Sequence, residues 1–235
     1  MAAEKNVDRI IQDLLSDNDG LKQGVLVEVG AAHPDYLSIS SSFRRLGWKI
    51  IAIEPNPDFC KQHRDQGYTV YQYACSDNES DAQEFYVVDS QGTKYLDGSV
   101  SFESFSSLGI KDEFLDLHQT VKDKTKVKKI EVKVRKLDTI LQEHEPEVDH
   151  VDVVAVDVEG WELSVMRGFS TGRYKPRVVI LENLFLKKEY EDYMSDIGYK
   201  LWKRLKPNDV YLDRNTYELA KSKYSLLGRL KRIFS

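Results

Sequence analysis

The residues with the clearest chemical potential are acids that end apolar runs. Glu28 and Gly30 stand at the end of Val25 to Val29, and Glu54-Pro55-Asn56 ends Lys49 to Ile53. Asp157, Glu159 and Glu162 fall within six residues after Val156, and Glu182-Asn183 follows Arg177 to Leu181. In open α/β sheets, ligands bind outside the carboxyl ends of the strands, where such side chains gather. Gly30 permits a tight turn and close backbone approach to a ligand, and Ala31 and Ala32 keep that turn sterically open. Glu54 lies roughly 20 residues further on, where a carboxylate accepts the hydroxyl hydrogens of a ribose. Ser76 and Asp77, after the third apolar run, are placed to meet an adenine edge or to act as ordinary turn residues.

The first turn reads Gly30-Ala31-Ala32-His33-Pro34-Asp35, so two glycine positions of the dinucleotide pattern GxGxxG hold Ala32 and Asp35. That argues against a pyrophosphate resting on a helix N-terminus, and so against a nicotinamide-dependent oxidoreductase. A cofactor with a nucleoside and no pyrophosphate fits better, and S-adenosylmethionine is the expected one. Were the methyl acceptor a hydroxyl, its proton would have to pass to a base or be made labile by a metal. The candidate bases are His33, at the mouth of the first strand, and Asp157 or Glu159. The alternative is a divalent cation such as Mg²⁺, held by Asp157 with the acid–amide pair Glu182-Asn183, because oxygen donors suit a hard cation. Each has a plainer reading: a structural histidine, acids favoured by a helix dipole, a capping asparagine.

The elements that must position these groups alternate. Helices are expected over Val7 to Leu15, Leu37 to Leu46, Asp58 to Gln66, Leu137 to Glu143, Trp161 to Arg167 and Lys187 to Asp196. Strands are expected over Val25 to Val29, Lys49 to Glu54, Thr69 to Tyr73, Val151 to Val158 and Arg177 to Leu181, with Tyr199 to Arg204 and Asp209 to Asp213 as a closing antiparallel pair. This is the pattern of an α/β protein of Rossmann-like type, with a mostly parallel sheet covered by helices on both faces. Glu84 to Val88 and Ile130 to Val134 alternate as strands of an antiparallel edge or a lid. Between them, residues 90–129 form a polar insertion with one helix near Asp112 to His118. Its segment Gly98-Ser99-Val100-Ser101-Phe102, with Phe105, is a candidate lid over the acceptor or else a surface loop.

The 235 residues suit one such domain, and 31% charged with 41% hydrophobic residues is a globular composition. A net charge of −5 argues against nucleic acid as a partner, since phosphate binding leaves a basic footprint. Cys60 and Cys75 form no zinc spacing and fit a reducing, cytoplasmic setting. No apolar run approaches the roughly 20 residues a membrane span needs. The tail over residues 222–235 is basic, with apolar residues at helical spacing. Such a segment can touch an anionic membrane, or dock on its own domain or on a second copy in a homo-oligomer.

Two segments carry a resemblance. Val132-Lys133-Val134-Arg135-Lys136-Leu137-Asp138-Thr139-Ile140 and Val154-Ala155-Val156-Asp157-Val158-Glu159-Gly160-Trp161-Glu162-Leu163-Ser164-Val165-Met166-Arg167-Gly168 resemble the FkbM family of S-adenosylmethionine-dependent methyltransferases, and Glu28-Val29-Gly30-Ala31 and Glu54-Pro55 match it as well. The resemblance spans about Val25 to Asn183. It implies a class I methyltransferase fold, Glu54 on the ribose, Glu28 and Gly30 near the methionine end, and O-methylation of a hydroxyl on a sugar, a glycan or another natural product. One departure stands out: the family often has Asn and then Gly where this chain has Ala32 and Pro34.

Overall fold

The computed structural model describes residues 3–17, 19–89, 94–95, 100–101, 106–109 and 126–225. Along the chain run α1 (Val7–Leu15), β1 (Val25–Val29), α2 (Ser40–Arg45), β2 (Lys49–Ile53), α3 (Pro57–Asp65), β3 (Val70–Tyr71), β4 (Ala74–Cys75), β5 (Ser80–Asp89), β6 (Lys94–Tyr95), β7 (Val100–Ser101) and β8 (Lys126–Arg135). There follow α4 (Leu137–His144), β9 (Val153–Val156), α5 (Glu162–Arg167), α6 (Thr171–Tyr174), β10 (Val178–Glu182), α7 (Lys188–Asp196), β11 (Lys200–Leu205), β12 (Asn208–Leu212) and α8 (Arg214–Tyr224).

The main sheet has seven strands in the order β11-β12-β10-β9-β1-β2-β3. The run from β3 to β10 is parallel, and β12 is antiparallel to both of its neighbours. This is the Rossmann-like α/β arrangement, with strand order reversing beside β1. Successive side chains point to opposite faces. Leu26, Val153, Ala155, Val178 and Ile180 pack under α1, α2 and α8 through Ile11, Leu14, Phe43 and Ala220. Val27, Val29, Ile51, Val154, Val156 and Leu181 pack under α4, α5 and α7 through Ile140, Leu141, Met166, Tyr190 and Met194. A sheet covered on both faces needs apolar strands throughout, which is why all four residues of β9 are buried.

Four differences from the sequence reading have physical causes. The expected helix from Leu37 begins only at Ser40, because Ser38, Ile39 and Ser40 are drawn onto the Glu28 carboxylate. The expected strand Thr69 to Tyr73 is divided: β3 stays in the main sheet, and the chain then enters a second sheet at Ala74. That second sheet, β4-β8-β5, takes the alternating strands expected at an edge or lid and packs Phe85, Val87, Val132 and Val134 together. The helix α8 has no counterpart in the sequence reading; Asp213 caps it by accepting the Thr216 N–H at 2.8 Å. The helix expected near Asp112 to His118 lies outside the described residues. No helix among those described is long and apolar enough to cross a membrane.

Candidate active site

A cleft opens where strand order reverses, at the carboxyl ends of β1, β2 and β9. Gly30 makes the closest approach there. Its φ is +78°, and a Cβ on it would lie 1.8 Å from the Asp157 carbonyl oxygen. The Asp157 N–H in turn donates to Val29 O at 3.0 Å. Only a residue without a side chain lets the two turns pass this closely.

The amides of the first turn are used internally. Gly30 and Ala31 donate to Ile53 O at 3.0 and 3.2 Å, and Ala32 donates to Glu54 Oε2 at 2.9 Å. Glu54 Oε1 accepts the Asn56 N–H at 2.7 Å. The Glu54 carboxylate is buried in the cleft wall. Desolvation pushes its pKa up to about 7, against the pull of the two amides. Each of its oxygens holds one N–H and keeps acceptor capacity for a further donor.

The other expected cofactor residues divide. Gly30, Pro55 and Asp157 line the cleft. Glu28 does not: being even-numbered with Leu26, it points to the helical layer. There it accepts from Ser38 Oγ, Ser40 Oγ and the N–H groups of Ile39 and Ser40 at 2.5–3.2 Å. Burial raises its pKa despite these bonds. Ala31 packs against Ala52, Cys60 and Val70, so Ala32 is the alanine that faces the cleft. Asn56 caps α3, its side chain accepting the Asp58 N–H with Pro57 in the first turn. Ser76 donates to Asp77 at 3.2 Å, and the two follow Ala74 and Cys75, which line the cleft where Ser76 and Asp77 do not.

His33 caps its own loop. Its Nδ1 accepts the N–H groups of Asp35 and Tyr36, both at 3.1 Å, and burial lowers its pKa. It lies outside the cleft lining, next to Ala32, which is part of it.

Three acids do converge. Leu181 pairs with Val156, so the next residues, Glu182 and Asp157, stand side by side at neighbouring strand ends. With Glu159 they bring carboxylate oxygens within 4.8 Å of one another; Asp157 is exposed, and Glu159 and Glu182 are buried. Glu162 shapes the turn that carries them. Its Oε1 accepts the Val158 and Gly160 N–H groups, both at 3.0 Å, and its Oε2 accepts the Tyr190 hydroxyl at 2.5 Å. This clamp holds Glu159 at φ +56°. The metal set read from sequence changes accordingly. Asn183 Oδ1 accepts the Lys187 N–H at 2.8 Å, and its Nδ2 donates to Asp209 at 2.9 Å, so it clips the loop together and Glu159 is the third acid. Three carboxylates this close favour a cation among them, whether a metal or a charged ligand.

Aromatic and small residues complete the wall: Phe59, Tyr73, Phe85, Trp161 and the segment Ser106–Leu108. That segment pairs with β5 through Tyr86 and Ser107, and Trp161 Nε1 donates to Gly109 O at 3.1 Å, so it is tied both to β5 and to the turn after β9. Of the expected lid, this is the described part that reaches the cleft; Phe102 and Phe105 lie outside the described residues. Trp161 stood in the sequence directly after Gly160, and an aromatic beside a strand-end glycine was the available signal for it.

No curated protein matches the chain. Its residues 28–201 match the model of the Methyltransferase FkbM domain, a span that begins at Glu28 on β1 and includes β2, β9, β10 and every acid of the cleft. The chain therefore belongs to the FkbM methyltransferase family.

Proposed function

We propose that this methyltransferase uses S-adenosylmethionine and methylates a hydroxyl of a sugar or glycan. The observation that carries the cofactor reading is the first turn. Its amides are bonded within the chain, and α2 begins only at Ser40, so neither is presented to a pyrophosphate. A nucleoside alone fits: Glu54 accepts from a ribose diol, and the apolar wall of Ala74, Cys75 and Phe85 takes an adenine face. The acidic mouth complements the positive charge of a sulfonium and its amino group.

S-adenosylmethionine supplies an electrophilic methyl group for in-line displacement, so positioning accounts for much of the rate. On the acceptor side, Asp157 or Glu159 takes the proton that the hydroxyl loses as its oxygen forms the new bond to carbon. Trp161 and Tyr73 offer ring faces to a sugar. The donor set Asp157, Glu159 and Glu182 also fits a divalent cation such as Mg²⁺, which would lower the pKa of a bound hydroxyl. The choice of a sugar over another natural-product hydroxyl rests on the family resemblance.

Isothermal titration tests the reading directly, with S-adenosylmethionine and with NAD⁺, each with Mg²⁺ and with EDTA. Micromolar binding of S-adenosylmethionine that Glu54→Ala abolishes is the expected result. Binding of NAD⁺ alone would replace the proposal with a dinucleotide enzyme. Mg²⁺ binding lost in Glu182→Gln separates the metal from the cofactor.

A further inference from the structure

Charge is unevenly distributed along the chain. Residues 200–235 hold ten Lys and Arg against three Asp and Glu, while the whole chain holds 34 against 39. The folded part of this basic region is one corner of the molecule, where the open sheet edge β11 meets α8. Three lysines there lie over aromatic rings. Lys203 Nζ is 4.8 Å from the Trp202 ring centroid and 5.7 Å from that of Tyr224. Lys200 and Lys221 lie 5.1 and 5.8 Å from that of Tyr217. The sequence leaves this corner at Ser225 and continues with Leu226, Leu227, Arg229, Leu230, Lys231, Arg232, Ile233 and Phe234, without an acid.

From this juxtaposition we infer that the corner formed by β11 and α8, together with the tail that follows it, docks on an anionic lipid bilayer. Trp and Tyr rings sit at the level of lipid headgroups, and lysines beside them reach the phosphates. The tail supplies apolar side chains for the acyl boundary and cations for the surface potential. One weak anchor holds a protein only transiently, so a folded patch and a tail acting together are the combination that stable attachment requires. Lysines on a sheet edge also discourage edge-to-edge pairing, but that role needs neither rings beneath them nor a basic tail. The inference concerns binding alone and is independent of the cofactor and acceptor.

Co-sedimentation of the full chain with extruded vesicles tests it. The protein should pellet with phosphatidylcholine vesicles containing about 30% phosphatidylglycerol, stay in solution with phosphatidylcholine alone, and be released at about 0.5 M salt, where screening is short-ranged. Each basic residue near such a surface is worth about fivefold in affinity. The variant Arg229→Glu, Lys231→Glu, Arg232→Glu should therefore bind at least a hundredfold more weakly, and Lys200→Glu with Lys203→Glu at least twentyfold. Unchanged thermal melts establish that both variants are folded. Failure to bind anionic vesicles, equal binding to neutral ones, or indifference to either variant would overturn the inference. So would tail-dependent dimerisation in gel filtration without lipid binding, because the occupant would then be a second copy.

Discussion

Replacing Gly30 by Ala probes the closest approach in the site, and Gly67 provides an internal control. Both glycines have φ near +75°, at +78° and +75°. A Cβ on Gly67 meets nothing within 4 Å, whereas one on Gly30 would lie 1.8 Å from Asp157 O and 3.2 Å from Val158 Cγ1. The left-handed conformation costs Ala about 1–2 kcal/mol, and the stiffer unfolded chain returns about 0.4–1 kcal/mol. Gly67→Ala should thus destabilise by about 1 kcal/mol. In Gly30→Ala the Asp157 carbonyl must also retreat by about 1.6 Å to reach an ordinary contact distance. That movement strains the Asp157 N–H bond to Val29 O and the Gly30 N–H bond to Ile53 O. A buried donor left unsatisfied costs about 1–3 kcal/mol, so the total should be about 3–5 kcal/mol. Urea unfolding of the parent and both variants, followed by circular dichroism, measures the difference. S-adenosylmethionine titration should show binding lost only in Gly30→Ala. If the two variants unfold within about 0.5 kcal/mol of each other, a difference at the level of ordinary surface substitutions, the close approach does not exist and the reasoning fails.

Two further outcomes follow from the buried acids. The Glu54 carboxyl has its folded pKa raised from 4.5 to about 7, so the native state holds the proton more tightly than the unfolded chain. Stability should therefore fall as pH rises from about 4.5 to 7 and stay reduced above it, by at most about 3 kcal/mol. Glu54→Gln cannot titrate and loses one of the two acceptors for the Ala32 and Asn56 N–H groups, so it should be less stable than the parent at pH 4 and recover up to about 3 kcal/mol relative to it by pH 8; a difference that does not change with pH would contradict the raised pKa. Tyr190→Phe removes the hydroxyl donating to Glu162 Oε2, a bond to a buried carboxylate worth about 1.5–3 kcal/mol. A variant as stable as the parent in urea would mean that α7 does not brace the acidic turn.

The sequence determined the layer pattern and the ends of the strands. The Val25–Val29 strand and Val7–Leu15 helix stand where periodicity puts them, because burial on a helix stripe or a sheet face is a local property of residue spacing. The positions of Gly30, Glu54, Asp157 and Glu182 at carboxyl ends of parallel strands follow from the same pattern. Which atoms face the cleft was decided by the tertiary structure. Glu28 and Glu54 are each an acid at or next to a strand end, but Glu28 is claimed by Ser38 and Ser40, ten and twelve residues on. Ala31 and Ala32 are neighbours in a turn, and only the latter, at φ +41°, meets the cleft; the Asn common in the family at that place tolerates this conformation better. Glu159, and not Asn183, joins Asp157 and Glu182, because Lys187 and Asp209 engage the amide while Glu162 and Tyr190 fold the turn that carries Glu159. Spacing along a chain reports which face is buried. Which partner claims a buried oxygen depends on elements far away in sequence, and only packing brings them together.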